Sequence, residues 1–76
     1  MATLIAVASD PRTPLNTFSY HVEGDEVIIS DLIKVEPVRY HARRAGITPT
    51  QEAQIRAQRL ERMGWTITWA EGQEPA

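Results

Sequence analysis

Residues 17–22, Thr-Phe-Ser-Tyr-His-Val, alternate without a break between apolar and polar. In an extended chain this sends Phe18, Tyr20 and Val22 to one face and Thr17, Ser19 and His21 to the other, so the segment predicts a half-buried strand. Glu23-Gly24-Asp25-Glu26 then supplies a glycine able to take positive φ, and Val27-Ile28-Ile29 resumes a branched, strand-forming run. The two runs predict a hairpin. Upstream, Thr3-Leu4-Ile5-Ala6-Val7-Ala8 alternates too little for a one-sided strand and suits one covered on both faces or placed near a sheet centre. Asp10–Asn16 holds Pro11 and Pro14, which lack the N–H that a ladder needs, among other turn formers, and predicts a loop. Towards the other end, Trp65-Thr66-Ile67-Thr68-Trp69 alternates strictly and aims both tryptophans and Ile67 at one face of a last strand.

The helical signals are concentrated between those strands. Thr48 stands at an N-cap, Pro49 at the first helical position, and Gln51 where it completes a capping box. Strong helix formers run from there to Met63, and Gly64 occupies the place of a C-terminal glycine. On the helical wheel Ala53, Ala57, Leu60 and Met63 form a narrow stripe, small enough at its alanines for close approach to a sheet, while Ile55 lies outside it. Pro37 turns Glu36 away from helix, and Val38–Ala45 then predicts two helical turns that end at Gly46. The element order is β-β-β-(short α)-α-β. It predicts an α+β domain over residues 1–70, with a small three- to four-stranded, mainly antiparallel sheet and the long helix across one face, followed by a polar tail over 71–76. The expected core is Ile5, Val7, Phe18, Tyr20, Val22, Val27, Ile29, Leu60, Trp65 and Ile67.

Seventy-six residues leave room for one core, and 42% hydrophobic with 24% charged residues is an ordinary globular balance. The absence of cysteine removes disulfides, thiolate metal sites and a cysteine nucleophile together. The longest apolar run, Leu4–Ala8, is far short of a membrane span, so the reading is a soluble, cytoplasmic protein with no membrane partner. The net charge of −2 conceals a segregation. Residues 1–33 hold five carboxylates against Arg12 alone, a balance of −4, whereas residues 34–62 hold seven cations against three carboxylates, a balance of +4.

Candidate chemistry is sparse. The serines and His21 and His41 stand in no nucleophile setting, Asp25 and Glu26 fall at a hairpin tip, no His spacing suits a metal, and the glycines are too scattered to cradle a phosphate. A chain this short also has little volume for a substrate pocket of about 300 Å³ or more. These points argue against an enzyme and against a bound cofactor or metal. What stands out is the arginines. Arg56, Arg59 and Arg62 recur along the long helix, and Arg39, Arg43 and Arg44 precede it. Ile55 lies among them on the wheel, and Trp69 ends the last strand. An aliphatic or aromatic anchor bordered by arginines has the composition of a protein-interface hot spot. The leading reading is therefore a small non-catalytic protein-binding module, an adaptor or inhibitor that occupies a surface of a larger, nucleic-acid-handling partner such as host or phage machinery. Its partner-binding residues would be Arg39, Arg43, Arg44, Ile55, Arg56, Arg59, Arg62 and Trp69.

The alternative is direct DNA or RNA binding, with the same arginines on phosphates. Ala42-Arg43-Arg44-Ala45-Gly46-Ile47-Thr48 resembles the turn that enters the recognition helix of helix-turn-helix DNA-binding domains, in which small residues let two helices approach, glycine makes the turn and a branched residue plugs the corner. Leu60–Trp65 is similar to the exit of a winged-helix recognition helix. The chain departs from that pattern at Glu52, where such helices bury an apolar residue, and in its strand-forming N-terminal half. The acidic N-terminal part also disfavours a long polyanion.

Overall fold

The computed structural model describes residues 1–34, 36–42 and 45–75. Five strands and one helix follow in the order β1 (Thr3–Asp10), β2 (Thr13–Glu23), β3 (Glu26–Asp31), β4 (Val38–His41), α1 (Pro49–Arg62) and β5 (Thr66–Trp69). The strands pair as β4-β3-β2-β1-β5, every ladder antiparallel. The first four form a meander; α1 then carries the chain across one face to the free edge of β1, where β5 docks. The α+β class and the helix across the sheet are as the sequence predicts, with one strand more.

That extra strand occupies Val38–His41, the first half of the helix expected over Val38–Ala45, of which Arg43 and Arg44 lie outside the described residues. Val38-Arg39-Tyr40-His41 also alternates, and its register against β3 puts Val38 opposite Ile29 and Tyr40 opposite Val27. Pairing with β3 bonds the half of this backbone that faces it and closes the edge groups that β3 would otherwise leave open, whereas two isolated helical turns would leave most of their own groups unbonded. The predicted loop at Asp10–Asn16 is also tighter than expected. The chain turns at Pro11-Arg12 and enters β2 at Thr13; Asp10 pairs with Thr13 and Ser9 with Thr17, so Pro14, Leu15 and Asn16 loop out of register and the prolines fall where no ladder bond is required. The hairpin between β2 and β3 forms with Glu23 opposite Glu26, and Gly24 at φ +60 fills the one turn position that demands it.

β1 fails to alternate because it is bulged. Leu4 pairs with His21 and Ala6 with Tyr20, leaving Ile5 as an inserted residue that is buried in the core. Beyond the bulge Ala6 and Ala8 face the helix and are fully buried, as are Ala53 and Ala57 of α1. Alanine on both sides is what lets the helix lie close over β1. Tyr20 and Val27 complete the buried cluster, and Phe18, Val22, Ile29, Leu60, Trp65 and Ile67 pack half-buried around it. Trp65 precedes β5 rather than opening it, and stacks on Phe18 with ring centroids 5.5 Å apart.

One expected core position, Val7, and one residue of the expected helix stripe, Met63, are corrected. Val7 pairs with Ser19 and Thr68 and so faces away from the helix, because the bulge at Ile5 reverses the alternation that follows it. Met63 is 64% exposed, since α1 ends at Arg62 and Met63 is its cap. Conversely Ile28, on the open face, is only 4% exposed, flanked across the ladders by His21 and Arg39.

The helix ends are bonded as the sequence implies. Gln51 N–H donates to Thr48 Oγ1 at 3.1 Å and Thr48 N–H to Gln51 Oε1 at 2.9 Å. At the other end Gly64 takes φ +95, its N–H reaching Glu61 O at 3.0 Å, while Trp65 N–H reaches Leu60 O at 3.0 Å. This paired closure satisfies the last carbonyls and turns the chain straight into β5.

Candidate partner-binding site

Folding redistributes the arginines. Because β4 pairs with β3, Arg39 lies within 3.8 Å of Glu23 and 4.0 Å of Glu26, and His41 Nδ1 lies 3.0 Å from Asp25. The acidic hairpin thus meets the start of the basic segment, and the segregation of charge along the sequence is partly cancelled in space.

Arg56 turns inward. Its Nε donates to Glu52 Oε2 at 3.0 Å, the Tyr40 hydroxyl donates to the same oxygen at 3.1 Å, and the guanidinium sits over the Tyr40 ring, 4.7 Å from its centroid. Glu52 is buried although it sits on the outer part of the wheel, because β4 brings Tyr40 against that side of the helix. Burial pushes the Tyr40 hydroxyl up to about 12, with the Arg56 charge opposing and the bond to Glu52 reinforcing the rise. Tyr20 is raised for the same first reason, again against Arg56. The trio Tyr40, Glu52 and Arg56 staples α1 to β4; its charges face each other rather than a partner.

The other candidates separate. Arg59 and Arg62 are exposed in the last turn of α1 and make no hydrogen bond or ion pair among the described residues. Ile55, one turn before Arg59 and two before Arg62, shares their face of the helix. It is half-buried and lines a groove of about 250 Å³ together with Gly46, Ile47, Pro75, Gln51, Gln54 and Gln58. Trp69 is not with them. It pairs with Ala6 and packs on the helix side of the sheet, half-buried against the core. Arg43 and Arg44 lie outside the described residues.

The groove residues other than Ile55 were not legible as a site. Gln51, Gln54 and Gln58 with Ile55 do follow helical spacing, and that second face could have been drawn on the wheel. Ile47 and Pro75 reach it only through tertiary structure. Gln54 Nε2 donates to Gln73 O at 2.7 Å and Gln73 N–H to Ala70 O at 3.0 Å, which folds the polar tail back over the helix.

The helix-turn-helix resemblance loses its first helix over residues 38–41, which are strand. The inward face of α1, moreover, packs on the sheet rather than on another helix. Among the described residues no group of His, Asp or Glu is placed to hold a metal, and no helix is long and apolar enough to cross a membrane. Compared with known proteins, the chain matches no family model, no curated protein and no solved structure.

Proposed function

We propose that the chain is a small non-catalytic protein-binding module that captures a segment of a larger protein in the groove along α1. One observation carries the reading: Ile55 lines a groove with Ile47 and Pro75, and Arg59 and Arg62 continue its helix face with no carboxylate partner among the described residues. The apolar side chains of Ile47, Ile55 and Pro75 in its lining suit one or two apolar side chains of the partner. The glutamine amides along the groove can both donate to and accept from its backbone, and the two guanidiniums suit carboxylates a turn further on. Direct nucleic-acid binding is less well supported. With Arg39 and Arg56 engaged by carboxylates, the cluster offers Arg59 and Arg62 among the described residues, and two phosphate contacts predict a salt slope of only about 2.

The test is to identify proteins retained from native cells by the wild-type chain, purify the leading one and measure its affinity for variants. Ile55→Asp and the Arg59→Glu/Arg62→Glu pair should each weaken binding by about 30-fold or more, as hot-spot truncations do. A partner that binds both variants at wild-type strength would overturn the reading. So would tight, steeply salt-dependent binding of mixed-sequence DNA or RNA that the arginine pair abolishes.

A further inference from the structure

The two edges of the sheet are unlike. β4 carries Arg39 and His41 and follows Pro37, the charges and proline that commonly blunt an edge strand. β5 at the other edge has no charge and no proline between Gly64 and Glu71. Its backbone is half used. Ala70 N–H bonds to Ile5 O at 2.9 Å, and Thr68 and Thr66 stand opposite Val7 and Ser9, so by alternation the N–H and C=O of Ile67 and Trp69 point away from β1. The tail does not turn along this edge; its Gln73 carbonyl is tied to Gln54 on the helix.

Trp65-Thr66-Ile67-Thr68-Trp69 reads the same in both directions. An antiparallel pairing of two such strands about a two-fold axis at Ile67 would therefore match like with like: Ile67 opposite Ile67, Thr66 opposite Thr68, Trp65 opposite Trp69. The parity is the right one, because Ile67 is a residue whose backbone groups face outward, so the two copies of Ile67 can exchange both hydrogen bonds. From this self-complementarity we infer that a second copy of this chain docks on β5, joining two sheets into one. Trp65 and Trp69 of opposite copies would then meet on the helix side, covering the half-exposed surface each retains, while the threonines would form pairs on the open face. The contact uses residues other than the groove of the proposed capture site and does not depend on it.

Sedimentation and light scattering over a wide protein concentration range should show a reversible dimer. Thr66 and Thr68 are exposed, so charge can be placed there without entering the core. T66K/T68K sets lysines opposite each other across the axis and should weaken the dimer at least about tenfold, as should T66E/T68E; mixing the two variants should restore it as a heterodimer. Register is read separately. Since the chain has no cysteine, a mixture of Thr66→Cys and Thr68→Cys chains should crosslink on oxidation, whereas Thr66→Cys alone should not. A wild type that stays monomeric throughout would overturn the inference. So would a dimer untouched by T66K/T68K with unchanged circular dichroism, or equal crosslinking by Thr66→Cys alone, which remains decisive should the lysine variant unfold.

Discussion

Replacing Arg56 by alanine tests whether this residue belongs to the scaffold rather than to an exposed cationic row. In the wild type its Nε donates to a Glu52 carboxylate that is 9% exposed, while its own side chain is 42% exposed. A hydrogen bond to a charged group contributes about 1.5–3 kcal/mol when buried, and the exposure of Arg56 places this one at the lower end. Stacking of the guanidinium over Tyr40 contributes about 0.5–1 kcal/mol at such a site. Removal also leaves Glu52 buried with one cation fewer, a loss that grows as the group is sealed from water. Together these give about 2–3 kcal/mol for Arg56→Ala. In a domain of this size the melting temperature should fall by roughly 10–20 °C, and the urea midpoint should drop by about 1–2 M. Tryptophan fluorescence is a suitable probe, since Trp65 and Trp69 both pack against the core. Arg56→Lys, which keeps the charge but not the planar stack, should recover about half of the loss. Arg59→Ala and Arg62→Ala should stay within about 0.5 kcal/mol of wild type. Equal stability of Arg56→Ala and Arg59→Ala would refute the assignment and return Arg56 to the surface.

Thr48→Ala removes the hydroxyl that accepts from Gln51 N–H and should lose about 0.5–2 kcal/mol by denaturant titration; no measurable change would mean that α1 begins elsewhere. Trp65→Ala forfeits the stack on Phe18 and half-buried contact with the core, and should lose about 2–4 kcal/mol, with an unchanged melt contradicting that packing. Both tyrosines hold their protons more tightly folded than unfolded, so the stability they contribute is whole below pH 10 and is lost as pH rises above it, for Tyr40 towards about 12. Tyrosinate absorbance should therefore appear together with alkaline unfolding, and Tyr40→Phe should flatten that part of the profile; ordinary titration near 10 in the folded state would contradict it.

Residues with strong local rules were legible from the sequence alone. The box of Thr48, Pro49 and Gln51, the closure at Gly64 and the turn at Gly24 each satisfy backbone groups within a few residues, and the alternation of 17–22 fixes which of its side chains share a face, so their outcome depends little on the rest of the chain. The α+β class followed from the same signals. Four residues at 38–41 had no such local determinant. Their alternation suited either a strand or a short helix, and the open edge of β3, which exists only once the sheet is formed, decided for strand. That one decision moved the site as well. It gave Arg39 the carboxylates of the hairpin and brought Tyr40 over the helix to hold Glu52 and Arg56, leaving Ile55, Arg59 and Arg62 as the outward remnant of a row that looked continuous on the wheel. Ile47 and Pro75 entered the groove by the same kind of step, from loops whose positions only the packed helix and tail specify. Hydrogen bonds between near neighbours are written in the residues themselves, whereas charge pairs and grooves between distant segments depend on which faces the sheet and helix finally bury.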